Sequence, residues 1–151
     1  MSADRTQGTP AGRRAFASVQ VGDVLPTTTV ALDRAALVAY TAASRDFNAI
    51  HWSDRVATEV GLPGVIAHGM LTMGAASRLL TEWAGDPTAV LRYSTRFTRP
   101  VVVPDPGQAV VEVSGSVRSV DEQARQVVVD LVVVCDGATV LTKTRATLAL
   151  A

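Results

Sequence analysis

Two short stretches of this chain carry the side chains best suited to chemistry. The first covers residues 44–51 and holds Asp46, Asn48 and His51 within one turn-prone segment. The second is Gly69, at the start of a long apolar stretch. A carboxylate and an imidazole can exchange protons with a bound molecule near neutral pH, and a helix-start N–H can stabilise a negative oxygen. The pattern therefore predicts acid–base chemistry beside a carbonyl group.

Two predicted helices flank the first stretch. Asp33 is a good N-cap for a helix over residues 34–43, whose alanines favour that structure. Ser53 can cap a second, shorter helix over residues 54–60. Because residues 44–51 show neither helical nor strand periodicity, we expect them to form the loop between these helices.

A third predicted helix spans residues 70–84 and begins directly after Gly69. It is the most apolar of the helical segments, and small residues lie in its middle, including Gly74 and Ser77. Small side chains let other backbone approach closely, as expected of a helix that is buried against a sheet. Gly-Asp-Pro at residues 85–87 ends the helix.

The remaining segments have strand character. Residues 125–135 are nearly continuous valine, which predicts a central strand that is buried on both faces. Asp136-Gly137 then predicts a tight hairpin. One long helix with a run of antiparallel strands predicts an α+β chain with a single hotdog fold, in which the sheet wraps the helix. Strands are expected over residues 27–31, 91–97, 108–120, 125–135 and 139–150.

Length and composition favour one domain with a real core. The chain has 151 residues, is 48% hydrophobic and has a formal net charge of zero. Residues 1–17, rich in Gly, Ser, Arg and Thr, are predicted to be a flexible N-terminal leader, and residues 18–151 the domain. No basic stripe indicates nucleic-acid binding. The apolar run ending at Cys135 is shorter than the roughly 20 residues of a membrane span, so no membrane partner is expected. Cys135 is the single cysteine and cannot form an internal disulfide, which agrees with the expected cytoplasmic location.

Several other kinds of site are disfavoured by the residues present. The two histidines and one cysteine lack the spacing of a metal site, so no metal is expected. The chain has no Gly-x-Ser-x-Gly segment, which argues against a serine hydrolase. It also lacks the glycine-rich loops that bind phosphates or dinucleotides.

Both chemical stretches resemble one family. Ser-Arg-Asp-Phe-Asn-Ala-Ile-His, at residues 44–51, resembles the signature of the MaoC-like hydratases, and Ala-His-Gly-Met-Leu, at residues 67–71, resembles its second element. This family includes (R)-specific enoyl-CoA hydratases and the catalytic subunits of actinobacterial (3R)-hydroxyacyl-ACP dehydratases, which the chain resembles most. Residues 89–101 are also similar to the strand that follows the family's helix. Arg45 and Ala49 stand where the family usually has Gly and Pro.

The resemblance implies an enzyme that interconverts trans-2-enoyl and (3R)-3-hydroxyacyl thioesters without a cofactor. Asp46 and His51 would hold the reacting water, and the N–H of Gly69 would receive the thioester oxygen. Asn48 and Ser77 are candidates for substrate binding. Asn48 would orient the loop or a partner, and capping a turn is the favoured alternative for its amide. Ser77 is equally suited to helix packing.

Partners and alternatives also follow from the resemblance. The substrate would be an acyl-CoA or an acyl chain on acyl carrier protein, and the chain would form a homodimer, or a heterodimer with another hotdog subunit. A polyketide-tailoring enzyme, performing dehydration, internal addition of a hydroxyl or cyclisation, is one alternative. A non-catalytic partner subunit of a dehydratase is another, although Asp46 and His51 are intact. A hotdog thioesterase is disfavoured because residues 70–81 contain no Asp or Glu.

Overall fold

The computed structural model describes residues 12–151 as one antiparallel sheet with a long helix against one face. The strand order across the sheet is β1-β3-β4-β5-β2, so β4 is central and β1 and β2 lie at the edges. This is the arrangement that the sequence predicts for a hotdog fold, in which the sheet wraps around the helix. The strands are β1 Val24–Leu32, β2 Val90–Phe97, β3 Ala109–Asp121, β4 Gln126–Cys135 and β5 Ala138–Ala149.

Three α-helices begin and end within one residue of the bounds that the capping residues predict. In α1, Arg34–Ser44, the side chain of Asp33 accepts the N–H of Ala36. In α2, Asp54–Glu59, the side chain of Ser53 accepts the N–H of Val56. The long helix α3, Gly69–Ala84, ends at Gly85, whose φ of 73° is the left-handed conformation of a C-cap. Short 3₁₀ turns occur at Phe16–Ser18, Ala49–His51 and Pro87–Ala89. No helix among residues 12–151 is long and apolar enough to cross a bilayer.

The core lies between α3 and the inner face of the sheet. One face of α3 is buried, and the helix contacts β1, β2, β3 and β5. Full burial of a side chain such as Leu80 stabilises the fold by about 2 kcal/mol. The start of α3 lies against the C-terminal end of β2, where the ring of Phe97 faces Gly69. The buried residues include Thr72, Ala76, Leu79, Leu80 and Trp83 of α3 and Val111, Val113, Val127, Val129 and Val133 of the sheet.

Strand β4 differs from its prediction on one face. It is central, as expected, but its residues alternate between buried and partly exposed, and Val132 is exposed. No helix among the described residues covers the outer face of the sheet. Asp130 on that face accepts hydrogen bonds from Arg118 and Arg145 of the two neighbouring strands. The prediction of burial on both faces is therefore wrong, because a valine run does not reveal whether a second layer exists.

Strand β2 is an edge strand with an irregular inner face. Its register with β5 shifts twice, between Val90 and Arg92 and between Ser94 and Arg96. The ends of its apolar face stay open, since Leu91 is 55% and Phe97 is 49% exposed. The alternation in the sequence therefore predicts the strand but not how little of it is covered.

The hairpin and leader predictions meet the structure differently. Asp136 and Gly137 have φ of 50° and 71° and connect β4 to β5 as the hairpin predicted. Residues 1–11 of the predicted leader lie outside the described residues. From Arg13, which pairs with Asp86 at 2.7 Å, the described chain contacts the domain. Phe16 then donates its N–H to the carbonyl oxygen of Ala151 at 2.7 Å.

Candidate active site

The site loop starts where α1 ends. Arg45 has φ of 61° and ψ of 23°, and its N–H donates to the carbonyl oxygen of Thr41 at 2.9 Å. This left-handed conformation turns the chain out of the helix and is the one that glycine adopts without strain. The arginine therefore stands at a position that requires a positive φ.

Two hydrogen bonds between residues close in sequence shape the loop after Arg45. The Oδ1 of Asp46 accepts the N–H of Asn48 at 3.2 Å, and the Oδ1 of Asn48 accepts the N–H of Ile50 at 3.3 Å. Asn48 thereby caps the 3₁₀ turn Ala49–His51. Ala49 is the first residue of that turn, a position that also accepts proline. The amide oxygen of Asn48 has a structural use, as its turn-capping alternative predicts.

His51 is buried and held in one orientation. Its Nδ1 lies 2.8 Å from the carbonyl oxygen of Ile66, which can only accept a hydrogen bond. Nδ1 therefore carries the proton in the neutral ring, and Nε2 has a free lone pair. That Nε2 lies 3.9 Å from Oδ2 of Asp46. The gap is too long for a direct hydrogen bond, but one water oxygen fits within reach of both atoms.

His68 contacts both members of this pair. Its ring stacks on the ring of His51, with centroids 3.7 Å apart and an interplanar angle of 22°. Its Nε2 lies 3.2 Å from the backbone carbonyl oxygen of Asp46 and therefore donates to it. Tyr40 packs edge-on against His68 at 4.9 Å between ring centroids. The sequence places His68 beside Gly69, but no pattern in the sequence predicts these contacts.

Burial lowers the pKa of His68, and the neighbouring His51 lowers it further. The ring is therefore neutral near pH 7, with the proton on the Nε2 that bonds Asp46. The remaining nitrogen, Nδ1, is buried and has no hydrogen-bond partner among residues 12–151. A neutral His68 lets the stacked His51 gain a proton without facing a second positive charge.

A metal is poorly accommodated by this cluster. Asp46, His51 and His68 each offer a ligand atom within 4.8 Å of the others. An imidazole binds a metal in its ring plane, and the two rings lie almost parallel and stacked. A single ion therefore cannot lie in both ring planes at bonding distance. The arrangement is suited to proton transfer rather than to metal binding.

Gly69 is the first residue of α3 and lies between two cavities. N–H groups in the first turn of a helix have no partner within the helix and carry a partial positive charge. A cavity of about 300 Å³ is lined by His51, Gly69, Phe97 and Arg99, among others. A second cavity, of about 460 Å³, is lined by Asp46, Gly69 and Phe97, together with Tyr40, Ser44, His68 and Met70.

Ser77 is not brought to this cluster. It lies eight positions, about 12 Å, beyond Gly69 on α3, and its hydroxyl donates to the carbonyl oxygen of Gly74 at 2.7 Å. It lines neither cavity.

Two residues of the site, Tyr40 and Phe97, are not indicated by the sequence. Tyr40 shares a face of α1 with the buried Leu37, which signals burial but not the contact with His68.

The structure thus combines a hotdog fold with an imidazole–carboxylate pair beside the start of its central helix. The chain belongs to the family described as the MaoC like domain, whose model matches residues 16–135. A curated relative, 3-hydroxyacyl-thioester dehydratase X of Mycobacterium tuberculosis, is 42% identical over 79 residues. That match covers 52% of this chain and 27% of the relative, so the chain spans about a quarter of the relative's length.

Solved structures share the fold over most of the chain. A MaoC-like dehydratase superposes with a TM-score of 0.90 and 37% identity, covering 93% of this chain and 43% of that one. An (R)-hydratase from A. caviae involved in PHA biosynthesis superposes with a TM-score of 0.78 and 25% identity. That superposition covers 89% of this chain and 98% of the hydratase.

Proposed function

We propose that this chain is a hydratase or dehydratase that interconverts trans-2-enoyl and (3R)-3-hydroxyacyl thioesters. One observation carries the proposal: Nε2 of His51 and Oδ2 of Asp46 face each other at 3.9 Å beside the N-terminus of α3. The two groups that must handle a water thus lie next to the N–H that can receive a carbonyl oxygen. The hydratase and dehydratase names among the relatives support the same reaction class.

In the hydration direction, a water lies between His51 and Asp46. The Nε2 lone pair of His51 accepts a proton from this water while the water oxygen bonds to C3 of the enoyl group. Asp46 accepts a hydrogen bond from the second O–H of the water, which stays on the oxygen, and so holds the water in place. The electrons of the double bond move toward the thioester oxygen, and a proton returns from the pair to C2. Water is thereby added across the double bond, and dehydration is the reverse.

Gly69 would stabilise the charge that develops during this step. As the first residue of α3, it offers an N–H that is aligned with the helix dipole. A thioester oxygen that accepts this N–H carries negative charge in the enolate, so the bond strengthens in the transition state. In such a mechanism no cofactor takes part in the chemistry.

The handle of the substrate would be coenzyme A or the phosphopantetheine arm of acyl carrier protein. Arg99 lines the cavity that His51 also lines, so a cation is present for a phosphate-bearing group. Asn48 would affect the substrate only indirectly, because it caps a turn of the loop that carries Asp46 and His51. Ser77 would contact a substrate only where the substrate extends beyond the two cavities.

Substitution of the pair tests the proposal. Asp46→Asn and His51→Ala are each expected to lower kcat/KM for hydration of trans-2-butenoyl-CoA by at least about 100-fold, because each removes one proton-handling group. Absorbance of the conjugated thioester follows the reaction, and circular dichroism checks the fold. Asp136→Asn is the matched control, since Asn-Gly suits the hairpin as well as Asp-Gly does. Near-normal turnover by both site variants would disprove the assignment.

A further inference from the structure

Phe97, the last residue of β2, lies directly over Gly69. A Cβ atom added to Gly69 would lie 3.1 Å from Cε1 and 3.3 Å from Cδ1 of the Phe97 ring. The backbone of Gly69 is not in the left-handed region, so its dihedral angles alone do not require glycine. The space that a side chain would need at position 69 is already occupied by the aromatic ring.

Phe97 and Gly69 also lie where the two cavities meet. Among residues 12–151, they alone line both cavities. His51 lines one cavity and Asp46 lines the other. A substrate that extends from one cavity into the other must therefore cross the boundary at Gly69 and Phe97, which we call the passage.

We propose that Phe97 is a specificity-determining residue that excludes substituents at C2 of the acyl thioester. This inference rests on the proposed function, in which the thioester oxygen binds the N–H of Gly69. C2 is then one bond from the carbonyl carbon and lies at the passage between Gly69 and Phe97. A ring already in close contact with Gly69 leaves room for a hydrogen at C2 but not for a methyl group.

The chain offers a matched control for this role. Leu91 lies on the same strand and is exposed to a similar extent, 55% against 49% for Phe97. It lines neither cavity. Leu91→Ala therefore shows how far a change in the edge strand by itself alters substrate preference. Phe97→Ala makes a similar change in the strand and also opens the passage.

The test compares two substrates that differ by one methyl group. For wild type, kcat/KM for trans-2-butenoyl-CoA should exceed that for trans-2-methyl-2-butenoyl-CoA by roughly 10–200-fold, the range of discrimination for one methyl group. Phe97→Ala should reduce this ratio at least about 10-fold, Phe97→Leu should give an intermediate ratio, and Leu91→Ala should leave it unchanged. If both Phe97 variants lose kcat/KM by the same factor on the two substrates, Phe97 has only a structural role and the inference is wrong.

A second arm measures binding without reaction. Calorimetry with butanoyl-CoA and 2-methylpropanoyl-CoA should show that wild type prefers the unbranched ligand and that Phe97→Ala loses this preference. If wild type turns over neither enoyl thioester, but prefers the unbranched ligand and Phe97→Ala loses that preference, the proposed function fails and the steric role of Phe97 stands. If wild type hydrates the unbranched substrate but no Phe97 variant changes either ratio, the inference fails and the function stands. Absence of binding to any acyl-CoA would contradict both.

A double substitution probes the contact itself. Gly69→Ala keeps the backbone N–H but places its methyl group against the ring, so it should lower turnover of trans-2-butenoyl-CoA. Adding Phe97→Leu should recover at least about 5-fold of that loss, because the shorter side chain can withdraw. No recovery would show that Gly69 and Phe97 act independently, which contradicts a shared passage.

Discussion

Arg45 occupies a backbone conformation that suits glycine. Its φ of 61° costs an L-residue about 1 kcal/mol, which glycine does not incur. Arg45→Gly is therefore expected to raise the free energy of unfolding by about 0.5–1 kcal/mol, measured by urea denaturation.

Arg55→Gly is the control for this substitution, because Arg55 lies inside α2 with a helical backbone and pairs with Glu59. There the same change should lower the free energy of unfolding by about 1 kcal/mol. A loss of stability in Arg45→Gly as large as that in Arg55→Gly would show that the Arg45 side chain makes a compensating contact.

The buried His68 predicts a pH dependence of stability. Its pKa is lowered in the folded protein, chiefly by burial, whereas the unfolded chain protonates this side chain near pH 6.5. Below that pH the unfolded state binds more protons, so the stability contributed by neutral His68 is present above about pH 6.5 and is lost as the pH falls. Unfolding by urea should therefore require less denaturant at pH 5.5 than at pH 7.5.

His68→Gln should flatten this dependence, since glutamine does not titrate and can still donate to the carbonyl oxygen of Asp46. The comparison needs only the difference in unfolding free energy between the two pH values for each protein. An equal difference in wild type and variant would assign the pH dependence to other groups.

At the scale of elements, β2 carries an unusual hydroxyl. The Oη of Tyr93 is buried without a hydrogen-bond partner among residues 12–151, and burial raises the pKa of Tyr93 to about 12. An unpaired buried hydroxyl costs free energy that phenylalanine does not. Tyr93→Phe is therefore expected to raise the free energy of unfolding by up to about 1 kcal/mol.

A neighbouring pair provides the opposite case. Thr144 of β5 is buried, and its hydroxyl lies 2.7 Å from that of Thr95 in β2. Thr144→Val would leave the hydroxyl of Thr95 with only its long hydrogen bond to the carbonyl oxygen of Thr142, at 3.4 Å, and should lower stability by about 1 kcal/mol. Destabilisation by Tyr93→Phe of similar size would reveal that the Tyr93 hydroxyl has a partner in solution.

For the whole molecule, the open edge of the sheet predicts a dimer. β2 is an edge strand with Leu91 and Phe97 half exposed, and an open edge with apolar side chains favours pairing with another chain. Light scattering at micromolar concentration should give twice the mass of one chain. Leu91→Asp should shift the protein toward the monomer, because it places a charge at that edge.

A fully active monomer would contradict this prediction. A monomer that gains activity only with a second hotdog subunit would instead identify the heterodimer as the working form. The two forms differ in the number of acid–base pairs per assembly, which active-site titration can count.

Local patterns in the sequence predict much of this fold. Asp33 and Ser53 mark helix starts, Asp136-Gly137 marks the hairpin, and the valine run marks the central strand. Each of these signals depends on residues close together in the chain. The same patterns do not tell whether the outer face of β4 is covered, because that depends on elements far away in sequence.

The candidate site likewise has one part that the sequence predicts and another part that it does not. Asp46 and His51 lie five residues apart and are predicted together from one loop. The contacts of His68 with that loop, and of Phe97 with Gly69, join residues on separate elements. Only the packing of β2 and the loop against the start of α3 creates them, so spacing in the sequence cannot indicate them.

The position of His68 has a consequence for how the molecule opens. His68 is the N-cap of α3, and it also holds the carbonyl oxygen of Asp46 and the ring of His51. The loop therefore loses its contacts with His68 when the first turn of the helix frays, and the hydrogen bonds to Ile66 still hold the His51 end of the loop. Fraying of the helix start is thus coupled to loosening of the loop, so one local opening disturbs the positions of both Asp46 and His51.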